Sequence, residues 1–71
     1  MLRTTAFERA EALGWGVREL SRRCGVSRES LYKVKAGKRG PGPRMIEGLL
    51  RAFPNLAYRD LFMPDDRPTA A

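Results

Sequence analysis

Gly25 separates two short apolar stripes of helical spacing, and no other feature of this chain restricts its fold as strongly. Val17, Leu20 and Cys24 form the first stripe. Leu31 and Val34 form the second, opened by Ser27, a favourable N-cap residue. Helices joined by so few residues cross steeply only if one linking residue tolerates an unusual backbone conformation, and glycine does so with no Cβ cost. Val26, one residue later, is expected to drop into the crevice and hold the crossing angle. Leu20, Cys24, Leu31 and Val34 then tie the pair to the rest of a core. Cys24 reads as a small buried hydrophobe; the competing reading is a reactive thiol beside Arg22 and Arg23.

The remaining segments supply three more helices. Thr5 followed by Glu8 fits a capping box, so a helix is predicted to begin near Thr5, with Ala6, Phe7, Ala10 and Leu13 on one face and Gly14 at its end. Trp15 and Gly16 make the connection to the second helix. Gly37 closes the third helix, and residues 38–43, KRGPGP, form a basic, turn-rich loop. A fourth helix is predicted over about 44–53, with Ile46, Leu49, Leu50 and Phe53 facing inward, before Pro54 breaks it. Tyr58, Leu61 and Phe62 suggest a short fifth helix. No run alternates with period two, so no strand is expected. The prediction is an all-α, compact five-helix domain over residues 1–63, followed by a polar, proline-bearing tail over 64–71 that frays.

Seventy-one residues allow one domain with a modest core, which must be compact or completed by a partner subunit. With one cysteine and no histidine, the chain has no internal disulfide, lacks the common zinc ligand sets and lacks the usual general base. Its acidic residues are scattered without a catalytic pairing, so an enzyme is disfavoured and neither metal nor cofactor is expected. Charges interrupt every apolar run, so no membrane span is expected, and without a leader pattern the expected location is the cytosol.

The charge is unevenly placed. Of a net +6, residues 18–51 carry ten cations against three carboxylates, or +7, and the remainder is slightly acidic. Such concentration is the footprint of a polyanion binder; the alternative is a solvated surface that happens to be rich in arginine. Two short helices joined by a glycine turn, the second displaying long polar side chains, have the shape of a helix-turn-helix that seats one helix in the major groove of DNA.

That shape assigns roles. With Leu31 and Val34 inward, Arg28, Glu29, Tyr32 and Lys33 project outward. Arg28 sits at the helix start, where a guanidinium can pair bidentately with guanine O6 and N7. Glu29 can accept from the cytosine amino group or restrain Arg28. Tyr32 can pack on a thymine methyl or bond a phosphate, and Lys33 can reach a base or the backbone. The bland alternative is that all four solvate an exposed face. The starts of the second and third helices, at Val17 and Ser27, offer backbone amides and a positive dipole end to phosphates. Arg18, Lys35, Lys38, Arg39 and Arg44 add cations nearby. Phosphate contacts of this kind set register and carry little base information.

These residues resemble the Cro and lambda-repressor type of helix-turn-helix, also called the xenobiotic-response-element family. The resemblance rests on G-W-G-V at residues 14–17, E-L-x-x-x-x-G-V-S at 19–27, L-Y-K-V-x-x-G-K-R at 31–39, and I-x-x-L-L-x-x-F at 46–53. It covers residues 5–62 and implies a five-helix bundle that binds operator DNA, usually as a dimer, and regulates transcription in bacteria and phages. Three positions depart from the family pattern. Val17 stands where the family commonly has a glutamine that spans phosphate and base. Ala10 and Lys35 replace an arginine–glutamate pair, leaving Lys35 to add charge near DNA or to pair with Glu11.

The first functional expectation is therefore a sequence-specific, repressor-like regulator, a homodimer on a two-fold site in double-stranded DNA. Phe53, Leu56, Tyr58 and Phe62 either complete the core or offer the dimer surface. The alternative is the antitoxin of a toxin–antitoxin pair, or another protein-interaction module on the same fold.

Overall fold

A computed structural model describes residues 2–64 of the chain. They form β1 (Leu2–Thr4), α1 (Ala6–Ala12), α2 (Val17–Cys24), α3 (Arg28–Lys35), α4 (Pro43–Ala52), α5 (Tyr58–Leu61) and β2 (Phe62–Pro64). α2 packs chiefly against α4 and then against α3, and β1 and β2 pair antiparallel. The core sits between the helices, with Ala6, Leu20, Leu31, Leu49, Leu61 and Phe62 almost fully buried. Each fully buried leucine or phenylalanine contributes about 1.5–3 kcal/mol relative to exposure.

The α2–α3 turn forms as expected. Gly25 adopts φ 72°, its amide bonds the Ser21 carbonyl at 2.9 Å, and the Ser21 hydroxyl donates to the Val26 carbonyl at 2.5 Å. Val26 packs half-buried against the core and Cys24 is buried within it. Burial pushes the Cys24 thiol up from its ordinary value, against smaller opposing effects of backbone hydrogen bonds. The thiol is thus packing rather than a nucleophile.

Several elements differ from the expectations. The Thr5–Glu8 capping box does not form, because Thr5 makes no side-chain cap to α1. Its hydroxyl instead donates to the Asp60 carbonyl at 2.7 Å, and the Thr5 amide bonds the Leu61 carbonyl at 2.9 Å. The Arg9 Nε donates to the Thr5 Oγ1 at 3.2 Å and to the Asp60 carbonyl at 3.3 Å. These bonds draw the two ends of the domain together and permit the two-stranded sheet, with Leu2 opposite Pro64, Arg3 opposite Met63 and Thr4 opposite Phe62. Three residues are too few for period-two patterning to register, so the strands were invisible as a local signal. Pro64 accordingly belongs to β2; the rest of the expected tail, residues 65–71, lies outside the described residues.

α4 is rotated from its expected face. It buries Met45, Gly48 and Leu49, whereas Ile46 and Leu50 are only half-buried. Gly48 has no side chain, so α2 approaches there and pulls that side of α4 inward. Pro43 occupies the first turn of α4, where its fixed φ suits a helix start and its missing amide costs little. Leu13, expected on the apolar face of α1, lies past the helix end and is 58% exposed. Val34 is half-buried rather than buried. Phe53 and Phe62 belong to the core, Leu56 is half-buried and packs against it, and Tyr58 is exposed, with its ring 5.0 Å from that of Phe62.

Candidate nucleic-acid interface

α3 begins where Ser27, in extended conformation, turns its hydroxyl back to accept from the Ser30 amide at 3.2 Å. The same hydroxyl donates to the Ser30 Oγ at 3.0 Å. α3 ends in a paired closure: the Gly37 amide bonds the Val34 carbonyl at 3.0 Å and the Lys38 amide bonds the Lys33 carbonyl at 2.9 Å. Both ends are thus held by local hydrogen bonds, and Leu31, with no exposed surface, anchors the middle.

Arg28, Glu29, Tyr32 and Lys33 line one continuous groove with Ala36 and Lys38. All four outward residues are exposed, Tyr32 to 55%. The closure at Gly37 fixes the Lys38 backbone against the last turn of α3, which is why Lys38 joins this face. Within it, Glu29 pairs with Lys33 at 3.4 Å rather than with Arg28. Residues four apart stack on a helix face, whereas adjacent residues point about 100° apart. Arg28 therefore keeps its guanidinium for another partner.

Arg28 also borders a second groove with Arg18, Arg22, Glu19 and Ser21. α2 starts at Gly16 without a side-chain cap, so its first-turn amides, beginning with Val17, keep open donors. Arg22 is the cation that sequence reasoning did not single out. Its i, i+4 relation to Arg18 was the available signal; its approach to Arg28 across the turn was not. Glu19 binds Arg22 at 2.8 Å and Arg23 at 2.8 Å. The hydrogen bond from Arg22 holds the Glu19 carboxyl below its ordinary value and the Arg22 guanidinium above its own, with partial burial opposing the shift at Glu19.

On the other side of α3, Arg39 and Arg44 share a groove with Ser27, Ser30, Gly42 and Pro43. α4 starts at Gly42 with no side-chain cap and no acidic residue in its first turn, so its positive end is uncompensated. Lys35 lines a groove toward α1 with Arg3, Arg39, Glu8 and Glu11. Its ammonium lies 6.0 Å from the Phe7 ring centroid, on the α1 side of α3, and among the described residues no ion pair joins it to Glu11. Among the described residues no helix is long and apolar enough to cross a membrane.

The site is therefore a helix capped at both ends, whose polar face lies between two cation-lined grooves, each at the start of a neighbouring helix. Comparison with curated proteins and with solved structures finds no match. A family model described as a helix-turn-helix domain matches residues 2–53, which takes in β1 to α4 and the whole of the surface described above. The chain belongs to the helix-turn-helix family of DNA-binding regulators, of the XRE/Cro type.

Proposed function

We propose that the protein is a sequence-specific, repressor-like transcriptional regulator of the lambda-repressor type that binds double-stranded DNA as a homodimer, with α3 in the major groove. The observation that carries this reading is the gathering of Arg28, Glu29, Tyr32, Lys33 and Lys38 on the outer face of a helix whose inner residue, Leu31, is wholly buried. Arg28 reads guanine, being unpaired with Glu29 and placed in the first turn. Glu29 and Lys33 act as a unit, the carboxylate accepting from cytosine while steadying the ammonium, and Tyr32 packs on a thymine methyl or bonds a phosphate. Val17 and Ser27 contribute helix-start amides to phosphates, joined by Arg18 and Arg22 on one flank, Arg39 and Arg44 on the other, and Lys38 at the end of the α3 face. Lys35, turned toward α1, adds to the field around the groove.

Selection of bound duplexes from a random library, followed by sedimentation with the enriched sequence, tests the proposal. The expected result is a preferred sequence with two-fold symmetry, bound by two copies. Equal recovery of all sequences, with affinity set only by salt, would reject base reading and leave a basic module of no sequence preference.

A further inference from the structure

Away from this face lies a groove of about 490 Å³ bordered by the end of α1, the α1–α2 connection and the turn after α4. Its floor is apolar. The Trp15 and Phe53 rings stack with centroids 5.3 Å apart, and Leu56 and Ala52 continue the surface. Trp15 is held in place because its amide bonds the Ala10 carbonyl at 2.8 Å, closing α1 through Gly14. Leu13 stands on the rim, 58% exposed, the most exposed large apolar side chain among the described residues. Core packing leaves it there unused.

The charged residues at this rim are both cations. Arg23 lays its guanidinium 4.1 Å over the Trp15 ring, and Arg9 stands on the α1 side. Each uses its Nε internally, Arg23 toward Glu19 and Arg9 toward Thr5 and Asp60, while their terminal amino groups make no hydrogen bond to another described residue. Among the described residues no carboxylate lines the groove. A second copy of the chain would bring two more arginines against these two, so like charges oppose self-association here. A small ligand is poorly served, because Ala12, Leu13, Pro54 and Asn55 are all exposed and such ligands need most of their surface enclosed.

We propose that this groove docks an acidic segment of a partner protein, carrying apolar anchors against Trp15 and Leu13 and carboxylates against Arg9 and Arg23. None of its lining residues is among those assigned to DNA, and its one link to that surface is Glu19, whose carboxylate Arg23 shares with Arg22. Guanidinium–carboxylate pairing gives such a segment orientation, and the apolar floor gives it area.

The chain has a single tryptophan, so emission excited on the red edge, where the two tyrosines do not absorb, reports on this groove. The probe is a blocked peptide of sequence Leu-Asp-Phe-Glu-Leu-Asp, compared with its Asn/Gln counterpart. The expected result is a saturable change in Trp15 emission with the acidic peptide, at least tenfold weaker binding by the amide peptide, and loss of the response in Leu13→Ser at unchanged melting temperature. Equal binding of the two peptides removes the arginines from the argument and overturns the proposal, as does the absence of a saturable response. A dimer in sedimentation that Leu13→Ser dissociates would identify the occupant as a second copy and overturn it equally.

Discussion

Gly48 of α4 lies against the carbonyl group of Cys24 in α2, so close that a Cβ at Gly48 would overlap the Cys24 oxygen and stand 3.3 Å from the Cys24 Cβ. This contact sets the separation of two helices that bring Leu20, Cys24, Met45 and Leu49 into the core. Gly48→Ala improves helix propensity by about 1 kcal/mol but forces a clash with backbone that cannot rotate away, at about 1–3 kcal/mol. The expected net effect is destabilisation, seen as a lower urea midpoint at unchanged slope. A variant more stable than the parent would show that α4 can slide off α2 without loss.

Gly25→Ala isolates a different cost. Nothing lies within 4 Å of a Cβ there, so sterics with neighbours play no part and only the positive φ of 72° opposes the substitution. We expect a loss of about 1–2 kcal/mol. Replacement by asparagine, which tolerates this conformation better, should recover part of it in the same melting assay.

Arg28→Ala should cost about 1–3 kcal/mol on the preferred duplex and relax base choice at one position. Affinity for random duplexes should change far less. Equal weakening on both would reassign Arg28 to the phosphate backbone.

Lys38→Ala with Arg39→Ala should weaken preferred and random duplexes alike and lower the log–log salt slope by about two units, since each neutralised phosphate contributes about 0.9. Titration at several salt concentrations reads this directly. An unchanged slope takes the 38–43 loop out of the interface.

Cys24 should react with thiol reagents only as fast as the protein opens, because it is buried and burial raises its pKa. The same shift has a pH consequence. The unfolded thiol ionises first, so above its ordinary value of 9.0 the unfolded state holds fewer protons and stability falls as pH rises. Below that value the contribution is fully present. Cys24→Ala should therefore flatten the alkaline arm of the stability profile, while labelling in urea becomes fast in the parent.

Much of this molecule was legible in the chain, because its decisive features are local. The glycine turn, the Ser27 cap and the i, i+3, i+4 recurrence around Leu20 and Leu31 depend on neighbours a few residues away, and the α3 face follows from knowing which side of one short helix is apolar. The Glu29–Lys33 pair was within reach of the same spacing rule. What crosses the fold was not legible. Thr5 looked like the cap of its own helix and instead bonds Asp60, because a hydroxyl takes whichever carbonyl the packed chain brings to it. Likewise, nothing in the spacing of α4 marked Gly48 as the point of closest approach; that follows from the position of α2. The sequence by itself determined the helices, the turn and the cationic face, since propensity, capping and charge act over one or two turns. Only the tertiary structure decided the paired ends, the rotation of α4 and the open groove beside Trp15, since each depends on where distant segments come to rest.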